Sequence, residues 1–207
     1  MKNNKGGMAT MQWYKFNIND MTDKLYARYY SLMNAEKQHR VDRFRFADDK
    51  KRTVAGEMLA RNAISAECGI PPGEIILATG EHGKPCAENI DIHFNISHSG
   101  DYAVCAVNDK PVGIDIEEIR PVNLKIARKI CNADELAYIF GHEPTADDFT
   151  DTTDKDKLTR FFEIWTKKEA CGKCAGTGLL FDTPENDYHS DIFRDISGYI
   201  VTVCTKQ

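Results

Sequence analysis

Two short segments about a hundred residues apart begin alike, and no other feature of the chain constrains its fold as tightly. Ser99-Gly100-Asp101-Tyr102-Ala103-Val104-Cys105 is echoed by Ser197-Gly198-Tyr199-Ile200-Val201-Thr202-Val203-Cys204. Each copy follows a helical pattern that ends in a cysteine and glycine break, near Cys68-Gly69 and between Cys174 and Gly178. Read as a duplication, the echo predicts two related α+β halves that bury their sheets against one another and leave a cleft between them. Read as chance likeness of two short strands it predicts nothing, and the echo alone does not choose.

The local patterns fill in the halves. Gln12 to Ile18 alternates as a half-buried strand does, so the fold is expected to begin near Met11, after a polar extension over residues 1–10 that is expected to be disordered. Leu25, Tyr29, Leu32 and Met33 predict a helix within Asp23 to Phe46, which carries the basic run Lys37, His39, Arg40, Arg43 and Arg45. A second helix is expected from Asp48 to Cys68, closed by Gly69-Ile70-Pro71-Pro72-Gly73. Strands follow at Ile75 to Leu77, His93 to Ser97, Tyr102 to Val107 and Val112 to Ile116, and the last three are expected to pair as an antiparallel meander. Two helices are predicted between Asn123 and Phe140. Residues 142–157 are acidic and poor in aliphatics and read as a mobile loop, a helix covers Leu158 to Cys174, and Tyr199 to Cys204 closes the chain as a strand.

Composition removes several function classes. With 27 basic and 32 acidic residues the formal charge is −5, which argues against nucleic acid as the main partner. No stretch approaches the roughly 18 apolar residues that span a bilayer, and the first residues lack the apolar centre of a secretion signal, so no membrane association and a cytoplasmic location are expected. The cysteines, 7 in all, are scattered and odd in number, which favours reduced thiols. Cys171-Gly172-Lys173-Cys174 is a CxxC, but a zinc ribbon needs a second pair and no redox-type strand precedes it.

Two acidic positions carry the first chemical signal. Asp115 and Glu117 sit one residue apart in an apolar strand, so their carboxylates share a face, and paired hard oxygens suit Mg²⁺. Acidic alternation on a solvated strand face is the other reading, and the strand by itself does not decide. Glu169 and Lys173 lie at i, i+4 on the final helix, which also reads as a surface ion pair. Phe94-Asn95-Ile96-Ser97-His98-Ser99-Gly100 ends in a small polar turn where hydroxyls, backbone N–H groups and an imidazole can meet a phosphate, and the loop Gly80 to Pro85 offers Lys84.

Taken in order, GKP at 83–85, FNISHSG at 94–100, GIDIE at 113–117 and WxxKEAxxK at 165–173 resemble the motif set of the surfactin-type 4′-phosphopantetheinyl transferases, over about Met11 to Leu180. The resemblance implies an α+β fold of two similar lobes, 11–112 and 113–207, in one monomer with the site in the cleft between them. It implies transfer of the phosphopantetheine arm of coenzyme A to a serine of an apo carrier protein. By matching positions, Asp115, Glu117 and Glu169 would hold Mg²⁺, and Glu169 or a metal-bound water would be the base. His98 would meet a phosphate of the nucleotide portion and Lys173 the pyrophosphate. Lys37, Arg40, Arg52, Thr53, Lys84 and Ser97 would grip the adenine nucleotide and its 3′-phosphate. The segment 123–140 would receive the carrier, with Leu124 and Ile126 meeting a carrier helix. The polar stretch from Leu180 to Ile196 is short for the family, so a trimmed second lobe is expected.

Two other classes remain in view. A catalytically silent protein that holds coenzyme A or a carrier domain would have no use for three convergent carboxylates, and a metal-dependent phosphodiesterase would remove the arm instead of adding it. A P-loop is excluded by the absence of GxxxxGK[ST].

Overall fold

The computed structural model describes residues 12–80, 83–150, 153–178 and 187–207. The extension expected over 1–10 lies outside them, as does most of the first half of the expected short stretch 180–196. Two three-stranded antiparallel sheets organise the molecule. In the first, β1 (Gln12–Asn17) and β4 (His93–Ser99) flank the central β5 (Tyr102–Asn108). In the second, β6 (Val112–Glu118) and β7 (Tyr188–Phe193) flank the central β8 (Tyr199–Lys206). A short hairpin, β2 (Leu77–Thr79) with β3 (Pro85–Ala87), stands beside the first sheet.

The echoed segments are therefore the two central strands with the turns that enter them. Each alternates between two apolar layers, as a strand with period two must when both faces are covered. On β5, Ala103, Cys105 and Val107 pack under the long helix α3 (Ala47–Cys68), while Val104 and Ala106 face the other sheet. On β8, Val201 and Val203 face the first sheet, while Ile200 and Cys204 pack under α6 (Lys155–Ala175). The two sheets thus share one core, edged by Tyr102 against Tyr199 with ring centroids 5.1 Å apart and by Trp13 against Phe193 at 5.2 Å. Both long helices stop at a glycine in the left-handed region, Gly69 (φ 72°) and Gly176 (φ 76°), where other residues are strained. The fold is two-lobed α+β, with one helix on the outer face of each sheet.

Three expectations are corrected. The helix predicted within 23–46 is two helices, α1 (Asp23–Tyr30) and α2 (Ala35–Asp42), because the Asn34 side chain accepts the Lys37 N–H at 2.8 Å and starts a new helix. The expected meander stops after β5: β6 crosses to the second sheet and pairs with β8, since alternation says that a strand has a buried face but not which strand adjoins it. Within 142–157, read as a mobile loop, Asp148 accepts from the Thr145 N–H and hydroxyl, and Phe149 is buried against Phe140 with Arg128 4.0 Å above its ring. One aromatic anchors that acidic segment where composition shows only polarity.

The two short helices expected between 123 and 140 are α4 (Ala127–Ile130), entered through a 3-10 turn at Leu124–Ile126, and α5 (Ala133–Phe140). A capping box opens α5: Asn132 accepts from the Glu135 N–H and Glu135 accepts from the Asn132 N–H. The second oxygen of Glu135 takes Lys168 Nζ of α6 at 2.8 Å, and that lysine is 1% exposed.

The approach of α6 to β6 is set by one residue. A Cβ on Gly113 would fall 1.9 Å from the Ala170 carbonyl oxygen and 2.5 Å from the Cys174 nitrogen, both backbone atoms of α6. Helix and strand here touch main chain to main chain. Gly113→Ala is expected to lower stability by about 1–3 kcal/mol through overpacking, read as a reduced midpoint of urea unfolding; an unchanged midpoint would mean that α6 yields freely.

Candidate active site

With α6 held against β6, the side chains of Glu169 and Lys173, one turn apart, look onto the strand carrying Asp115 and Glu117. On β6 the period of two turns Ile114 and Ile116 into the inter-sheet core and leaves Asp115 and Glu117 on the side of α6 and the cleft. Lys173 Nζ donates to Asp115 Oδ1 at 2.6 Å, to Ser97 Oγ at 3.0 Å and to the Ile114 carbonyl at 3.3 Å.

Between the lobes β4 runs beside β6 with no backbone ladder joining them. Side chains take its place. Phe94 and Ile96 face α3, so Asn95, Ser97 and Ser99 face β6. Asn95 Oδ1 accepts the Ile114 N–H at 3.0 Å, and the Ser97 hydroxyl donates to Asp115 Oδ1 at 2.8 Å. The Ser99 hydroxyl donates to Glu117 Oε2 at 2.9 Å and accepts the Glu118 N–H at 3.2 Å. Both strand carboxylates are thus oriented from the opposite lobe.

Of these groups, Ser97, Asp115, Glu117, Glu169 and Lys173 open on one cleft of about 470 Å³. Its acidic end holds Asp115, Glu117 and Glu169. Its basic end holds Lys37 and Arg40 from α2 and Arg52, beside Thr53, from α3, with His98 and Ser97 along the wall. Arg52 donates to the Gly100 carbonyl at 2.7 Å and to Asp49 at 2.6 Å, and the Thr53 hydroxyl donates to the Asp49 carbonyl at 3.0 Å. Every site residue expected from the sequence lines this cleft except Lys84. Gly83 and Pro85 do line it, while Lys84 Nζ donates to the Lys173 carbonyl at 2.8 Å, tying the β2–β3 hairpin to the last turn of α6. A lysine on a terminal helix carbonyl satisfies a group that the helix cannot.

The charges are crowded. Burial, and then the nearby Asp115 carboxylate, push Glu117 and Glu169 above the ordinary glutamate range. Burial, with Arg52 and Lys173 nearby, pushes the His98 imidazole below the usual histidine value. Asp115 is 4% exposed, and its Oδ2 is a buried oxygen that lacks a hydrogen-bond partner among the described residues. Among those residues no group of three or more His, Cys, Asp or Glu side chains is arranged so that it could hold a metal ion. The expected triad faces one cleft without closing into a ligand set.

Several residues escaped the sequence reading. Asn95 and Ser99 were visible as alternate polar positions in an otherwise apolar strand. Glu57 was visible as an acid inside the apolar stripe of α3. Trp165, noted only as a motif letter, forms the wall between the cleft and a second groove of about 480 Å³ that also shares Glu117. That groove has Val122, Ile126 and Phe161 in its lining, with Arg120, Lys125 and Lys129 among its cations. Ile126 is 41% exposed there, but Leu124, expected on this surface, is fully buried, because the 3-10 turn rotates it into the core beneath α4. The CxxC is core as well: Cys171 and Cys174 pack against Cys204.

Raised carboxyl values make the site a source of instability. A carboxyl whose folded value exceeds its unfolded one favours the folded state below the ordinary glutamate value of 4.5, and that contribution is lost as pH rises through the folded value. Glu169→Gln is therefore expected to raise the melting temperature near neutral pH in a chelating buffer, and to give a smaller gain near pH 4, where the native side chain is already protonated. A gain independent of pH would contradict the crowding.

Two family models divide the chain between them: "4′-phosphopantetheinyl transferase, N-terminal" matches residues 9–110 and "4′-phosphopantetheinyl transferase superfamily" matches residues 111–204. The 4′-phosphopantetheinyl transferase psf-1 of Bacillus pumilus is 41% identical over 151 residues, 72% of this chain and 60% of the relative. Sfp of Bacillus subtilis (strain 168) is 36% identical over 154 residues, 73% of this chain and 64% of the relative. The gsp protein of Aneurinibacillus migulanus is 34% identical over 161 residues, 78% of this chain and 62% of the relative. The matched part of the chain spans less than two thirds of the length of these relatives. With family matches covering both lobes and these identities, the chain belongs to the 4′-phosphopantetheinyl transferase superfamily and is similar to its Sfp-like members.

Proposed function

We propose that the chain transfers the 4′-phosphopantetheine arm of coenzyme A to a serine of an apo carrier protein, releasing 3′,5′-ADP, with Mg²⁺ as cofactor. The observation that carries this reading is the lining of the cleft: Lys37, Arg40 and Arg52 come from α2 and α3, Asp115, Glu117 and Glu169 from β6 and α6, and Lys173 is paired with Asp115, while Glu36 and Glu57 also line it. Coenzyme A has the complementary shape, a lone 3′-phosphate on the ribose and a diphosphate further along. The lone phosphate suits Lys37, Arg40 and Arg52 without a metal. A diphosphate at the acidic end needs a divalent cation to lie beside carboxylates at all.

The residues fit such a cation in chemistry. Asp115, Glu117 and Glu169 are hard oxygen donors, Asp115 Oδ2 has a free lone pair, and the like-charge crowding at Glu117 and Glu169 is of the kind a divalent ion relieves. When bound, Mg²⁺ would neutralise charge on the diphosphate and on the departing 3′,5′-ADP. The chain's own groups do the rest. Lys173, anchored on Asp115 and Ser97, directs its ammonium at the diphosphate, and His98 presents a ring N–H to a phosphate oxygen. A carboxylate oxygen of Glu169, or a metal-bound water beside it, takes the proton of the attacking serine hydroxyl as 3′,5′-ADP leaves.

The carrier is proposed to dock on the segment 123–140, over the groove that shares Glu117 and Trp165 with the cleft, Ile126 giving an apolar contact and Lys125 and Lys129 complementary charge to an acidic helix. The lobes are proposed to divide at 112/113, just after the first residue of β6, and the protein to act as a monomer in the cytoplasm. Among the described residues no helix is long and apolar enough to cross a membrane.

Incubation of the protein with coenzyme A, Mg²⁺ and a panel of apo carrier proteins is expected to add phosphopantetheine to at least one carrier, seen by intact-mass spectrometry. Asp115→Ala should lower the rate by on the order of a hundredfold or more while circular dichroism is unchanged. Undiminished transfer by that variant refutes the role given to the acidic end.

A further inference from the structure

The basic end of the cleft contains an acid. Glu57 lies in the middle of α3, is 1% exposed, and still reaches the cleft wall. Its Oε1 accepts from Arg61 Nε at 2.7 Å and its Oε2 from Lys37 Nζ at 2.5 Å. Arg61, itself 3% exposed, is fixed elsewhere: its remaining nitrogens donate to the carbonyls of Leu32 at 2.7 Å, Pro72 at 2.9 Å and Ile75 at 2.6 Å. A planar guanidinium tied at three backbone points cannot follow a moving carboxylate, so Glu57 is stationary. Lys37 is the mobile member. It comes from a different helix, its side chain is 25% exposed, and a four-carbon stem with a hydrated head samples many rotamers unless something holds it.

We propose that Glu57 is a positioning residue which, clamped by Arg61, holds the Lys37 ammonium at the point where the cleft receives the lone phosphate of coenzyme A. The proposal rests on the coenzyme A reading above and goes beyond it by assigning a role to a residue that no motif marks. Electrostatics alone assigns the opposite role: a carboxylate beside a cation weakens its pull on an anion, so removing the carboxylate would tighten binding. The two accounts differ in sign. Preorganisation predicts that loss of Glu57 weakens binding despite the more positive cleft, because the ammonium must then be ordered by the ligand itself.

A double-mutant cycle on the full chain separates them. Glu57→Gln keeps the shape, but its amide can accept from only one of the two cations. KM for coenzyme A is expected to rise about tenfold in Glu57→Gln with kcat little changed, and Lys37→Met to raise it similarly. Glu57→Gln added to Lys37→Met should then raise it no further, the signature of a residue that acts through its partner. Glu57→Asp, which keeps the charge on Arg61 but retracts it from Lys37, runs through the same cycle should the glutamine variant fold poorly, with a smaller rise expected. Repetition with 3′-dephospho-coenzyme A should erase most of the difference between the single variants and the unaltered protein. A lower KM in Glu57→Gln, or an equal rise with and without Lys37, overturns the positioning role while the unaltered protein remains active. Inactivity of the unaltered protein toward coenzyme A overturns both readings together.

Discussion

Main chain meets main chain where α6 lies on Gly113, and the rest of the site depends on that contact. Any side chain at 113 would meet the Ala170 carbonyl, and a lifted helix would take Glu169 and Lys173 away from Asp115. The same contact brings the Lys173 carbonyl within reach of Lys84 from the first lobe. A residue with no chemistry thus sets the distance at which chemistry becomes possible.

Around that contact the two lobes are joined by side chains rather than by a continuous sheet. A backbone ladder between β4 and β6 would have used the main-chain groups of both strands and turned their side chains above and below a common plane. Instead Asn95, Ser97 and Ser99 reach sideways to β6 and hold its carboxylates as well as its amides. Hydrogen bonds of this kind are directional, so each lobe orients the functional groups of the other. The apolar layer of Val104, Ala106, Ile114, Val201 and Val203 supplies the non-directional burial that holds the lobes together.

The site runs against the stability of the fold that holds it. Glu117 and Glu169 are partly withdrawn from water and close to Asp115, which holds both glutamates above the ordinary glutamate range against the pull of Lys173. At the other end, Lys37 and Arg61 share Glu57, a buried arrangement whose loss of one partner strands a charge. Lys168 shows the contrast: next in sequence to Glu169, it points to a different side of α6, where it pairs with Glu135, and neither residue lines the cleft. Neighbours in a helix sequence are about 100° apart on its surface, so adjacent motif letters serve separate tasks.

Local order and composition were legible because they follow from periods that any window of sequence contains. Alternation over Gln12 to Ile18 marked β1, the pattern from Asp48 to Cys68 closed by Gly69 marked α3, and the repeated segments of Tyr102 and Tyr199 raised two similar halves without deciding for them. The motif residues Asp115, Glu117, Glu169 and Lys173 were legible too, as residue types at fixed spacing. Which strand β6 would pair with was not, because a period of two fixes a face and leaves the neighbour open. Neither the inward turn of Leu124, nor the burial of Phe149, nor the direction of Lys84, nor the union of Lys37, Glu57 and Arg61 could be read from spacing, since each depends on segments far apart in the chain meeting in space. The sequence by itself determined the elements and the chemical groups available to the cleft. Only the tertiary structure decided which of those groups face one another, because facing is set by packing contacts that no local period encodes.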